Sequence, residues 1–315
     1  MADNQAYATA TAVSATGPDP GGRRRLGRFT TVGYFGSWWW ALPALTFVFL
    51  IHYVATLSGG FYAFTDWDGL GDWNWIGLEN FREIVREGGL GGPLVQTLII
   101  TIAFVVLTNV VGLGFALALN RTLKTRYLLR VLLFAPVVLS PLAVSYIFRF
   151  IFSQNGPLNI TLEAVGLESW TRTWLGIPMW ATIAIVVVMV WQQAGLAMVI
   201  YLAGLASVSI DQEEAATIDG ANAWQRFRYV VLPSIQPAVA IATTLTLITG
   251  LRVFDQVMAL TGGGPFGATD TLATVVYRET FAYGRFGYGA ALALLMFVLV
   301  LAAAILQLRV TRERT

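Results

Sequence analysis

Six stretches of this chain are too long and too apolar for a soluble domain: about residues 38–57, 94–119, 127–152, 178–205, 238–260 and 287–306. The hydrocarbon layer of a bilayer takes about 20 helical residues to cross, and every stretch reaches that length. The composition agrees, with 56% hydrophobic and only 12% charged residues, against about 25% charged in ordinary soluble domains. The expected fold class is an all-α integral membrane protein with about six transmembrane helices.

The placement of Lys and Arg orients the spans, because short cytoplasmic loops carry the basic excess. With the N-terminus inside, 13 basic residues fall on the inner side: Arg23, Arg24, Arg25, Arg28, Arg121, Lys124, Arg126, Arg130, Arg226, Arg228, Arg309, Arg312 and Arg314. Five fall outside, Arg82, Arg86, Arg172, Arg278 and Arg285, while Arg149 and Arg252 lie within spans. This orientation puts both termini and the polar interruption 209–237 in the cytoplasm of a multi-pass cytoplasmic (inner) membrane protein. Residues 1–33 read as a disordered basic tail and 34–315 as the membrane domain. No small-residue cleavage site follows the first apolar run, so that run reads as a retained anchor. The first outer loop is acidic, with Asp66, Asp68, Asp72, Glu79, Glu83 and Glu87, and its Trp67, Trp73 and Trp75 suit an interfacial belt.

Several chemistries are excluded. Without cysteine there is no disulfide, thiolate metal site or thiol nucleophile, and the single histidine, His52, excludes a His–His metal pair. The single lysine, Lys124, follows Leu123, so the chain has no phosphate-binding Gly-Lys-Ser/Thr loop. If ATP drives this protein, another subunit binds it.

The interruption 209–237 is patterned. Ser209 with Gln212 three residues on suggests a capping box opening a short helix of good helix formers. Gly220 offers the left-handed residue that ends it. Asn222 with Gln225 suggests a second cap, for a helix running to Leu232 before Pro233. Two short helices meeting at a glycine elbow would suit docking to another protein.

That elbow resembles the Glu-Ala-Ala signature of ABC importer inner-membrane permeases. Glu214-Ala215-Ala216, Gly220, Val230 and Leu232-Pro233 stand at the family's spacing, with Asp219 and Ala221 beside the glycine. Further stretches are similar to the carbohydrate branch typified by maltose and glycerol-phosphate permeases. They are Gly77-Leu78-Glu79-Asn80-Phe81, Leu132-Leu133-Phe134-Ala135-Pro136, Ala203-Gly204-Leu205, Phe254-Asp255, Leu260 to Pro265, Thr271-Leu272 and Gly287-Tyr288. Two departures stand out: Ser209 where the family often has proline, and Phe148 where it often has tryptophan.

The resemblance implies half of a translocation pore that imports a sugar, or alternatively a polyol or glycerol phosphate. It implies a second permease, a dimeric ABC ATPase carrying ATP and magnesium, and an extracytoplasmic solute-binding protein. This chain would bind no cofactor or metal, catalyse nothing covalent and meet no nucleic acid. Glu214, Ala215, Ala216, Asp219, Gly220, Ala221, Leu232 and Pro233 would form the contact with the ATPase.

Polar residues inside a bilayer are costly and default to functional candidates. Trp191, Gln192, Gln193, Thr249, Arg252 and Asp255 are the candidates for lining a sugar path, since rings stack on sugar faces and amides satisfy hydroxyls. Arg252 and Asp255, three residues apart, are expected to share a helix face and pair. Such a pair would also be almost the only material for an ion-gradient transporter, the rival reading. His52 reads as a packing residue and Arg149 as a snorkelling one. Gly262-Gly263-Gly264 reads as a tight turn or re-entrant feature rather than a phosphate cradle.

Overall fold

Proline marks several of the points where the apolar runs open or break. The computed structural model describes residues 38–120 and 124–312. The tail with Arg23, Arg24, Arg25 and Arg28, together with Arg121 and Arg314, lies outside the described residues. In chain order the helices are α1 (Trp39–Tyr62), α2 (Glu79–Glu87), α3 (Gly91–Leu119), α4 (Arg126–Val138), α5 (Pro141–Ile151), α6 (Pro157–Ala164) and α7 (Pro178–Leu205). They continue with α8 (Ile210–Ile218), α9 (Ala223–Ser234), α10 (Gln236–Leu251), α11 (Asp255–Leu260), α12 (Leu272–Tyr277) and α13 (Phe286–Arg312). No strand occurs among the described residues, apart from an isolated bridge between Thr65 and Trp75.

Four helices, in α1, α3, α7 and α13, are long and apolar enough to cross a membrane, and two bent pairs bring the number to six if each pair is one span. Pro178 opens α7 at a position where a missing N–H costs nothing. The helix then runs 28 residues, about 42 Å at ~1.5 Å per residue.

The expected third span is not straight. α4 and α5 meet at 98°. Pro141 pushes Ser140 out of helical geometry, to ψ 130, and Leu139 is extended at ψ 144. The expected fifth span also departs from one helix: α10 ends at Leu251, Phe254 sits at φ −133, and α11 restarts at Asp255. Arg252 and Asp255 therefore do not share a helix face, and no ion pair joins them among the described residues. That expected pair is withdrawn.

By contacts the chain divides into two compact units, Met1–Ala55 and Thr56–Thr315. In the second unit α3, α7 and α10 pack on one another, α4 crosses α7, and α11 lies against α5. One buried cluster joins Ile100, Phe104, Val144, Ile185, Met189, Val257 and Leu260. Another, towards the 209–237 elbow, joins Leu119, Met198, Tyr201, Leu205, Val231, Ile235 and Ala238. A third fixes α2 to α12 and α13 through Ile84, Val275, Tyr288 and Leu292. The acidic loop folds onto its own rings: Trp67 stacks on Tyr62 with centroids 4.2 Å apart, and Trp75 stacks on Phe64 at 5.5 Å. Its Asp66 carboxyl is held below the usual range by the backbone N–H of Asn74 and then by that residue's amide. Arg149 donates to the Ala259 carbonyl of α11 at 3.4 Å, so it anchors a neighbour as well as reaching outwards. The triple-glycine loop is a tight turn, closed by the Thr269 hydroxyl donating to the Gly264 carbonyl at 2.6 Å.

The crossing of α4 over α7 rests on Gly195, where an added Cβ would meet the Leu133 backbone carbonyl. Gly195→Ala should cost about 1–3 kcal/mol, as overpacking does. Gly114→Ala on α3, which meets nothing within 4 Å, should not destabilise. Thermal unfolding of the purified protein in detergent distinguishes the two.

Candidate functional site

The elbow is built from three local devices. α8 begins after Ser209, which is extended, but the serine side chain makes no capping hydrogen bond. The expected capping box with Gln212 is absent. Asp211 and Glu213 instead supply negative charge in the first turn, which suits the positive end of the helix dipole. At the other end the Ala221 N–H reaches the Ala216 carbonyl at 2.9 Å and the Gly220 N–H reaches Thr217 at 3.1 Å. This is the double closure that needs a left-handed residue, and Gly220 supplies it at φ +81.

Asn222 then opens α9 with a complete capping box. Its Oδ1 accepts from the Gln225 N–H at 2.9 Å, and its own N–H donates to Gln225 Oε1 at 2.8 Å. The two helices are tied across the turn by Arg226, which donates to the Thr217 hydroxyl at 2.8 Å.

α9 does not stop at Leu232. It widens to a π-helical stretch over Phe227–Val231, carries Pro233 within its last turn, and bends 72° into α10. Val231 and Ile235 are buried with Tyr201 and Leu205 of α7, and Phe227 and Leu232 pack on the same cluster. The elbow is thus held firmly to the helices on both sides of it.

Of the signature residues, Glu214, Ala215, Asp219, Gly220 and Pro233 are exposed, while Ala216, Ala221 and Leu232 are half-buried. No residue of α8 is buried. Four large apolar side chains that sequence reasoning did not single out are also presented outwards: Ile210, Ile218, Trp224 and Tyr229. Ile218 is 86% exposed and Trp224 69%. Their signal was available, since they are bulky apolar residues within a polar segment.

The intramembrane candidates do not gather in one place. Gln192 is only 1% exposed. Its amide donates to the Leu139 carbonyl at 2.9 Å and its Oε1 faces Gln256 Nε2 at 3.4 Å. Its polar atoms are engaged at the break between α4 and α5. Gln193 instead lines a narrow cavity with Phe104, Leu196, Thr246 and Thr249. Trp191 lies edge-on to Phe148, with centroids 5.2 Å apart. Arg252 is exposed and Asp255 half-buried.

The chain belongs to the family described as binding-protein-dependent transport system inner membrane component, whose pattern matches residues 109–314. That family comprises transport permeases, not enzymes. The chain is 34% identical over 281 residues to the "Multiple sugar-binding transport system permease protein MsmF" of Streptococcus mutans, covering 89% of this chain and 96% of that protein. It is 33% identical over 276 residues to the "Trehalose/maltose transport system permease protein MalF" of Thermococcus litoralis, covering 87% and 92%. Its fold is similar to that of a chain in a bacterial ABC transporter involved in the import of the acidic polysaccharide alginate. The TM-score there is 0.77 at 22% identity, over 88% of this chain and 94% of that one.

The two amides make opposite predictions. Gln192→Leu takes the donor from the Leu139 carbonyl and the acceptor from buried Gln256, and should cost about 1–3 kcal/mol. Gln193→Leu should leave stability within about 0.5 kcal/mol, as for a side chain away from such features. Unfolding midpoints in detergent check both.

Proposed function

We propose that this chain is the permease subunit of an ATP-driven, binding-protein-dependent importer of sugars. It would form one half of the pore, in a cytoplasmic membrane with both termini inside. The observation that carries the reading is the elbow: an exposed helix with Glu214 and Ala215 outermost, ended by left-handed Gly220 and held between α7 and α10. Such a unit receives a push at its exposed face and passes it to both flanking spans as a rigid-body motion. The sugar class is supported by the names of the relatives that match along most of their length.

In this reading a dimeric ATPase, carrying ATP and magnesium, grips α8, and Ile218 and Trp224 add apolar contact to the Glu214 side. Closure of the ATPases displaces the elbow. α7 and α10 tilt with it, against a second permease that supplies the other half of the pore. A solute-binding protein delivers the sugar from outside. Gln193 and Thr249, which share a cavity, are the side chains best placed to meet it, and Trp191 lines a separate one. Arg252 and Asp255 are further candidates. An ion-gradient mechanism has little support, because these two charges lie on either side of a helix break and do not form a relay.

Gly220→Val tests the coupling role without a packing complication, since nothing lies within 4 Å of the added Cβ. A β-branched residue disfavours φ +81 and should open the elbow. In proteoliposomes holding the whole transporter, uptake should fall at least about tenfold, more than 1.4 kcal/mol of coupling. The subunit should still insert and assemble. Normal uptake by this variant would end the docking proposal. The ligand retained by the partner binding protein, once purified, identifies the sugar.

A further inference from the structure

Above the elbow, three spans are joined by a buried polar chain that the coupling contact does not use. Tyr201 on α7 is 2% exposed, and its hydroxyl donates to Asn109 Oδ1 on α3 at 2.6 Å. Asn109 Nδ2 donates in turn to the Thr246 hydroxyl on α10 at 3.1 Å and to the Val105 carbonyl of its own helix at 2.7 Å. The Thr246 hydroxyl donates in turn to the Ala242 carbonyl at 2.8 Å. Every donor in the chain is used, and the two inter-helix bonds point the same way, from α7 through α3 to α10.

Its position matters more than its bonds. Tyr201 stands one turn before the end of α7, and its ring belongs to the same buried cluster as Leu205, Val231, Ile235 and Ala238, the residues that hold the elbow. α7 and α10 flank the elbow in sequence, so a push on α8 reaches them through the chain itself. α3 has no such covalent link. Its other side-chain hydrogen bond to α7, from Gln96 to Thr182, lies near the opposite end of both helices. Besides the packed side chains of the buried clusters, α3 meets them through flat contacts of small residues, with Gly112 against Ala197 of α7 and Gly250 of α10 against Thr101. Contacts of that kind hold helices close but resist sliding weakly. A directional hydrogen bond in an apolar interior sets register, because breaking it leaves a polar group unsatisfied.

We infer that Tyr201, Asn109 and Thr246 form a register lock that makes α3 move with α7 and α10 when the elbow is displaced. The inference rests on the coupling role proposed above. Asn109 and Tyr201 are positioning residues: they neither line the cavity of Gln193 and Thr249 nor belong to the elbow, and they carry the elbow's motion into a span that does not adjoin the elbow in sequence.

The test uses the complete transporter with its binding protein in proteoliposomes. It follows ATP hydrolysis and import of radiolabelled maltose, trehalose or xylose, whichever the wild type takes up. Wild-type import tests the transport reading by itself and is the reference for the lock. Tyr201→Phe removes one hydroxyl and no packing volume. It should lower sugar imported per ATP hydrolysed about fivefold or more, the lower end of typical coupling between sites, while hydrolysis and the unfolding midpoint stay near wild type. Asn109→Leu, close in size, breaks both inter-helix bonds and should lower the same ratio at least as far. An unchanged ratio in either variant overturns the lock. So does a parallel fall of import and hydrolysis with a lowered midpoint, which would mark a purely structural role.

Discussion

Within a membrane no water is available to satisfy the backbone, so each break in a spanning helix needs a partner from the protein itself. This constraint accounts for much of the polar inventory of the bundle. The Leu139 carbonyl, freed where α4 turns into α5, accepts from Gln192. The Val253 carbonyl, freed between α10 and α11, accepts from the Thr271 hydroxyl at 2.9 Å. The Leu119 carbonyl at the end of α3 accepts from Arg130, and Ala259 at the end of α11 accepts from Arg149. Polar residues that looked alike in the sequence therefore separate into two groups. Gln192, Thr271, Arg130 and Arg149 each close a freed backbone carbonyl, whereas Gln193 and Thr249 line a cavity between α7 and α10.

The elbow follows the opposite rule. α8 and the start of α9 lie outside the buried clusters, so their backbone ends are closed by local devices: a left-handed glycine, one complete capping box and an Arg226–Thr217 bond. Local closure gives a unit that keeps its shape while fully exposed. Anchoring through Val231 and Ile235 ties that shape to α7. Rigidity at the surface and attachment to two spans are the two properties a mechanical coupler requires, and both come from a short stretch of sequence.

What could be read from the sequence divides along the same line. The turn at Gly220 and the cap at Asn222 depend on neighbours three to five residues away, so they were legible. The long apolar runs were legible because the bilayer sets their length. The break after Leu139 had a signal in Ser140-Pro141 that hydropathy alone obscures. The break after Leu251 had none nearby, since its stabilising hydroxyl comes from Thr271, 18 residues beyond the Val253 carbonyl it reaches. For the same reason the pairing of Arg252 with Asp255 was misjudged: spacing three apart implies one face only if the helix continues. Ser209 shows the converse error, a capping sequence whose side chain takes no part in capping. The Tyr201–Asn109 bond joins residues 92 apart and was not visible locally.

The central claim is that α8 is gripped by an ATPase subunit. The chain contains no cysteine, so Ala215→Cys places a single thiol on the exposed face of that helix. The most direct measurement labels this thiol with a photoactivatable cross-linker in the assembled transporter and identifies the adduct by mass spectrometry. The account predicts an adduct between this chain and the ATPase subunit, with a yield that changes when ATP is added. An ATPase adduct obtained only from a thiol on the opposite loop, at Asp68→Cys, would contradict it.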